Sequence, residues 1–332
     1  MKLQVVLLSV AVILAGCVGQ PSALIAADGV IIKSFTANPS EVESRAGEAY
    51  LGTITIATAV IQNVGEMDAE SVTVKLTGLS PEWGFKPAGI ANPICRTQAF
   101  IAVGEFREQT RYADICRYFG VGKLSPADLS RGLEEGEEAV VEWELSPPPR
   151  KEVDQTYEAG IRLNYQYTTV FDSLIRIVSS SYFRQTNNKG GVVTAKFSKG
   201  PLAVDIKTTS FIFPEATQSV VPLQVEINNV GNGRVFQFRE ADKERIIREP
   251  SVDDLDLIGV TVNLGSVDVT GECKLIDGNK ARLINGKSGV ILCKIPIPSE
   301  LKLFADKSIT FKFTYNYLVD SKTTIRVLPI IK

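Results

Sequence analysis

Two stretches 150 residues apart carry one pattern, and that repetition constrains the chain more than any other feature. The first, from Ile161 to Val178, reads IRLNYQYTTVFDSLIRIV, and the second, near the C-terminus, reads ITFKFTYNYLVDSKTTIRVL. Tyr165 and Tyr167 correspond to Tyr315 and Tyr317, and Ile175-Arg176 to Ile325-Arg326. In the first copy Ile161, Leu163, Tyr165 and Tyr167 alternate with Arg162, Asn164, Gln166 and Thr168. A period of two places one set on each face of an extended chain, so each copy predicts a half-buried strand. The four tyrosines fall on the apolar face and are expected to pack in a core.

Further echoes keep the same order. Val140 to Leu145, closed by prolines, returns as Val290 to Ile295, and Asn63-Val64-Gly65 returns as Asn229-Val230-Gly231 at an offset of 166. Val72 to Leu76 is matched with Val260 to Leu264 at an offset of 188, which predicts about 22 extra residues before that strand in the second copy. Ordered echoes of this kind mark a duplicated module whose changing offsets locate insertions. The expected fold class is all-β, with two tandem sandwiches at 29–186 and 201–332 joined by a linker at 187–200, which follows the polar, glycine-rich run 185–191 and takes in a short bridging strand at Val192 to Phe197 that neither module clearly owns. The first carries a long insertion at 77–138, in which the spacing of Phe106, Tyr112, Ile115 and Phe119 predicts a short helix over 105–119. The second carries a charged insertion at 234–256. At each corner Asn63 or Asn229 is expected to bond the turning backbone, and Gly65 or Gly231 to supply a positive φ.

Composition removes several chemistries. The 332 residues contain no histidine, which excludes Ser-His and Cys-His nucleophiles and the commonest metal ligand. A formal net charge of −2, with both signs interspersed, provides no basic field for a nucleic acid. Glu134-Glu135 with Glu137-Glu138, and Asp253-Asp254-Asp256, are the densest acidic runs, but neither has the spacing of a calcium loop, so both read as solvated loops. No catalytic set, metal site or cofactor is expected. Any two carboxylates about 5–10 Å apart could serve glycoside hydrolysis, which makes an envelope hydrolase the remotest reading of the chain.

The N-terminus supplies an address. Lys2 precedes an apolar run from Val5 to Ala15, too short at about 1.5 Å per residue to cross a bilayer, so it reads as a signal segment. Its end, Leu14-Ala15-Gly16-Cys17, resembles the lipobox of prokaryotic lipoproteins. The resemblance implies a signal peptide at 1–16, a lipid on Cys17, a tether at 17–28, and a mature protein held by that lipid on the outer face of the cytoplasmic membrane. The Asn-x-Gly corner followed by a V-x-V-x-L strand is similar to the CARDB type of immunoglobulin-like module and to related repeats of archaeal surface-layer proteins. That likeness implies immunoglobulin-like sandwiches with envelope or surface-layer proteins as partners.

Export to an oxidising compartment makes the other four cysteines, Cys95, Cys116, Cys273 and Cys293, candidates for two disulfides. Three connectivities are open; joining 95 to 116 and 273 to 293 keeps one bridge in each module. Together these readings predict a non-enzymatic, lipid-anchored surface protein with a structural, adhesive or scaffold role. The alternative is an envelope binding module with a carbohydrate, peptide or metal site on one of the two insertions.

Overall fold

The computed structural model describes residues 28–44, 53–80, 82–87, 117–149, 152–213, 220–237, 250–297 and 303–329. About two thirds of them lie in strands, as the alternation predicts. The first half contains β1 (Val30–Asn38), β2 (Glu41–Glu43), β3 (Thr55–Asn63), β4 (Ala69–Thr77), β5 (Gly84–Pro87), β6 (Tyr118–Leu124), β7 (Glu138–Ser146) and β8 (Gln155–Ser179). A short helix α1 (Ser180–Thr186) and strand β9 (Gly191–Phe197) follow. The second half contains β10 (Leu202–Ile206), β11 (Ile212–Phe213), β12 (Val220–Asn229), β13 (Arg234–Phe236), β14 (Leu257–Leu264) and β15 (Val267–Asp268). It closes with β16 (Cys273–Lys274), β17 (Lys280–Arg282), β18 (Ser288–Pro296) and β19 (Phe304–Leu328).

The two repeated strands, β8 and β19, are 25 residues each, and they pair with one another. Their antiparallel register runs from Gln155 opposite Val327 to Val178 opposite Phe304. At about 3.3 Å per residue this makes a two-stranded spine of about 80 Å. Gln166 lies opposite Asn316, its own counterpart in the repeat, so a pseudo-two-fold axis passes through that pair. Around the spine an 11-stranded sheet forms, and each half adds a four-stranded sheet of the same order: β1-β3-β7-β5 in the first and β10-β12-β18-β16 in the second.

Packing follows the period of two. Ile161, Leu163, Tyr165, Tyr167, Phe171, Ile175 and Ile177 of β8 are buried, as are Ile309, Phe311, Phe313, Tyr315 and Tyr317 of β19. They join Ala57, Ala59 and Ile61 of β3, Trp143 of β7, Val225 and Ile227 of β12 and Ile291 of β18 in one contiguous core. The opposite face of the spine is solvated and carries opposite charges in register. Arg162 meets Asp320 at 2.9 Å and Arg176 meets Asp306 at 2.7 Å. Exposed pairs of this kind are screened by water and contribute little, so the buried face dominates the stability of the spine.

The halves also exchange edges. β2 of the first half pairs in parallel with the end of β19, and β11 of the second half pairs in parallel with the end of β8. One sheet therefore runs through both modules, a connection that the expectation of tandem sandwiches did not contain. Within the 187–200 join, Val192 to Phe197, expected as a short bridging strand, lies in β9 on the edge of β8.

Register revises the matching of β4 with β14. Glu70 faces Gln166 as Phe236 faces Asn316, an offset of 166, while Val74 faces Leu163 as Val260 faces Phe313, an offset of 186. The insertion before β14 is thus 20 residues, the difference between those offsets, rather than 22. A slip of two residues leaves every side chain on the same face, so alternation alone does not detect it. Phe119, placed at the end of a predicted helix, lies in β6; the rest of that stretch, 105–116, falls outside the described residues.

Candidate functional site

At the pseudo-two-fold axis the four tyrosines pack ring against ring. Tyr165 lies 5.7 Å from Tyr317 and Tyr167 lies 6.3 Å from Tyr315, centroid to centroid. All four are at most 1% exposed, which rules out a surface aromatic platform. Burial pushes the Tyr167 phenol up to about 12, and raises those of Tyr165, Tyr315 and Tyr317 by the same desolvation.

Two of these hydroxyls hold the repeated corners. Tyr167 Oη accepts from the backbone N–H of Glu66 and Met67 at 3.1 Å each and donates to the Lys199 carbonyl at 2.8 Å. Tyr317 Oη accepts from Gly233 N–H at 2.8 Å and donates to Asn229 Oδ1 at 2.9 Å. Asn63 Nδ2 bridges the Met67 and Leu124 carbonyls, and Asn229 Nδ2 bridges those of Gly233 and Gly286. The asparagines thus bond the turning backbone.

The glycines are needed for another reason than the one expected. Neither Gly65 nor Gly231 has a positive φ. A Cβ on Gly65 would stand 1.9 Å from Tyr167 Oη, and one on Gly231 2.5 Å from Tyr317 Oη. Close approach of a tyrosine, not backbone handedness, excludes a side chain there.

Beside the second corner lies a polar groove of about 1290 Å³. Arg162 and Asp320 reach it from the spine, Asn229, Asn232 and Arg234 from the corner and β13, and Asn285 and Lys287 from the turn before β18. Asp28, the first described residue, accepts from Asn232 N–H at 3.1 Å, so the chain enters the fold at the groove's rim. Both arginines inside are matched: Arg234 spans Asp256 with two bonds of 3.1 and 3.0 Å, and Arg162 spans Asp320 with bonds of 2.9 and 3.2 Å. Asp256 is 8% exposed, which makes the Arg234 pair the better shielded of the two. Such a surface suits a hydroxylated or amide ligand that exchanges hydrogen bonds without stripping an ion from its partner. Pro250 and Leu255 bring the charged insertion to the same groove, while 238–249 fall outside the described residues.

The acidic runs disperse into local roles. Glu135 accepts from Gln62, Glu137 from Ser125 N–H, and Glu138 pairs with Lys33. Asp254 accepts from Ser251 and Asp256 binds Arg234. Among the described residues no three His, Cys, Asp or Glu side chains converge on a metal position.

Cys273 and Cys293 form a disulfide between β16 and β18, where they stand opposite one another. In the first half Trp143 holds the position of Cys293, flanked by Ala57 and Pro87 as Cys293 is flanked by Leu223 and Cys273. One half fills the site with an indole, the other with a covalent bridge. Cys95 and Cys116, and the lipobox residues Leu14, Ala15, Gly16 and Cys17, lie outside the described residues. Among those described, no helix is long and apolar enough to cross a membrane.

The groove is not legible in the sequence, because its lining comes from five separated segments. The signal was the pair of Asn/Gly-rich turns at 229–233 and 285–286. Fold and site together define an all-β, sandwich-forming protein built on an internal duplication. Compared with known protein families and with curated proteins, the sequence matches none.

Proposed function

We propose that this is a non-enzymatic surface protein, anchored through a lipid on Cys17, with a structural, adhesive or scaffold role in the cell envelope. The observation that supports the reading best is the β8–β19 spine, which ties both halves into one sheet about 80 Å long. A shared sheet resists bending between modules, as a spacer or scaffold requires and a pair of loosely linked modules does not. The address rests on the resemblance of 14–17 to a lipobox, and the envelope partners on the likeness of the Asn-x-Gly corner to surface-layer repeats.

Membrane fractionation tests the reading. The intact chain is expected in the membrane fraction and Cys17→Ser in the soluble exported fraction, with crosslinking from the intact chain capturing envelope proteins. A cleaved Cys17→Ser chain that stays membrane-bound would refute the anchor. A second reading, an envelope binding module with a carbohydrate or peptide site, is supported by the groove at the root of insertion 234–256. It predicts glycan or peptide binding that is lost in Arg234→Ala, and an unchanged affinity in that variant counts against it.

A further inference from the structure

The walls of the groove beside the second corner are tied to one another. Asn229 N–H donates to the Lys287 carbonyl at 2.7 Å and Asn229 Nδ2 to the Gly286 carbonyl at 3.0 Å, which fixes the turn at 285–287 to the corner. The turn closes on itself through Lys287 N–H and the Ile284 carbonyl at 3.0 Å. A Cβ on Gly286 would stand 3.1 Å from Asp256 Oδ1, so the turn also rests on the Arg234–Asp256 pair. Walls held in this way need little ordering when a ligand binds.

The groups that line the groove decide what fits. Arg234 commits Nε and Nη2 to Asp256, and its Nη1 remains for a ligand on a cation that is already neutralised. Asn285 and Lys287 are exposed, and neither side chain bonds to another described residue. Arg162 and Arg234 are balanced by Asp320 and Asp256, whereas Lys287 has no carboxylate partner among the described residues. The lining therefore holds one positive charge in excess, and that charge has a fixed root. Asp28 stands at the rim, held by Asn232 N–H, and is not part of the lining.

A peptide gains most by adding its backbone to a free strand edge, and the groove offers none. One edge of β13 is taken by β19. The other is closed by Gln237 N–H to the Asp254 carbonyl at 2.8 Å and Asp256 N–H to the Val235 carbonyl at 2.9 Å. What remains is a set of amides, a neutralised guanidinium and an ammonium, which bonds hydroxyls and one carboxylate. None of the lining residues is aromatic, so hydrogen bonds and charge carry the affinity in place of stacking.

We infer that the groove binds a saccharide bearing a carboxylate, of the uronic acid class, with Lys287 meeting the carboxylate and Arg234 and Asn285 the ring hydroxyls. The inference rests on the second reading above, that the groove is a glycan site, and adds the class of glycan and the residue that selects it.

Titration calorimetry of the full-length chain tests it, with oligogalacturonate and oligoglucuronate each compared with the same sugar reduced at its carboxyls to alcohols. The uronates are expected to bind about tenfold or more tightly than their reduced forms, since a charge-assisted hydrogen bond separates them. Lys287→Gln is expected to erase that difference while binding the reduced forms as the wild type does, and Lys287→Arg to keep it. Urea unfolding stays unchanged in both variants, because the exposed side chain holds no other group. Added salt is expected to weaken uronate binding in the wild type and not in Lys287→Gln. Uronates and reduced forms binding alike to the wild type, or a preference that survives Lys287→Gln, overturns the inference and leaves the glycan site standing. Binding of no saccharide of either kind removes the glycan reading and this inference with it. An oligoglutamate held as tightly as the uronates overturns the saccharide class.

Discussion

The corner at Gly65 gives the sharpest test of how the repeat is held. In Gly65→Ala the new methyl would lie 1.9 Å from Tyr167 Oη, 2.9 Å from its Cζ and 3.0 Å from the Lys199 carbonyl. Tyr167 is 1% exposed and its hydroxyl serves three backbone groups, so it cannot retreat without breaking those bonds. At about 1 kcal/mol for each lost bond, the substitution costs about 3 kcal/mol. The smaller entropy of an unfolded alanine returns about 0.4–1 kcal/mol. A net loss of about 2–3 kcal/mol is a large share of a stability that is typically about 5–15 kcal/mol. Tyr167→Phe alone should lose a similar amount, because it deletes the same three bonds. In the double variant the hydroxyl is already gone, and the methyl meets the ring edge at 2.9 Å and the Lys199 carbonyl at 3.0 Å, contacts relieved by shifts of a few tenths of an ångström. The coupling between the two substitutions is therefore expected to be about 2 kcal/mol, in the sense that the double variant is less damaged than the sum. Urea unfolding of the four proteins, followed by the fluorescence of buried Trp83 and Trp143, measures it. A Gly65→Ala cost that is equal in the wild-type and Tyr167→Phe backgrounds would show that the hydroxyl is not what excludes a side chain.

Alkaline titration should expose the tyrosine cluster. Burial pushes the Tyr167 phenol up to about 12 in the fold against about 10 when unfolded, so its contribution is intact below pH 10 and is lost as pH climbs to 12, on the order of 3 kcal/mol in all. Tyr165, Tyr315 and Tyr317 shift in the same direction, so unfolding midpoints should hold to about pH 9 and then fall steeply, with tyrosinate absorbance rising together with unfolding; tyrosinate formed well before unfolding would contradict this. For the bridge, whose cysteines are 20 residues apart, Cys273→Ser with Cys293→Ser is expected to cost about 3 kcal/mol in urea unfolding. Non-reducing peptide mapping should link 273 to 293, and a link from 273 to 95 would be incompatible with the fold.

The strands were legible where alternation was long and one face was apolar, as in β8 and β19, because burial of that face is what selects the strand. Their mutual pairing was not, since a repeated pattern records what each strand buries and carries no label for its neighbour. The same degeneracy explains the two-residue slip in matching β4 with β14. A short strand at 192–197 was legible, but not the sheet that it joins, because β9 buries neither face and so leaves no apolar period to assign it. The Asn-x-Gly corners were visible as turns, but the demand on Gly65 comes from Tyr167, 102 positions away in sequence, and no local rule contains that contact. The groove was illegible for the same nonlocal reason: its five segments meet only when β13 and the turn at 285–287 reach the spine.

The arrangement of the two halves argues that they fold and act as one unit. Each half lends the other a parallel edge, β2 to β19 and β11 to β8, so removing either half strips a strand from its neighbour's sheet. Each corner is likewise closed by the opposite half or by the join: Lys199 on the first corner, Asp28 on the second. These exchanges converge on the Gln166–Asn316 pair, where the pseudo-two-fold axis leaves the tyrosines no solvent-facing surface. Symmetric features thus serve the fold, and what the axis does not relate is free for other work. Two such asymmetries dominate the described surface: β9, with its exposed edge on the first half, and the groove on the second, with matched arginines and the root of an insertion. The groove arises beside an insertion that the first copy lacks. A protein that duplicates its core and varies its edges and insertions keeps its spine constant while changing what it touches, and those are the places where its partners should be sought.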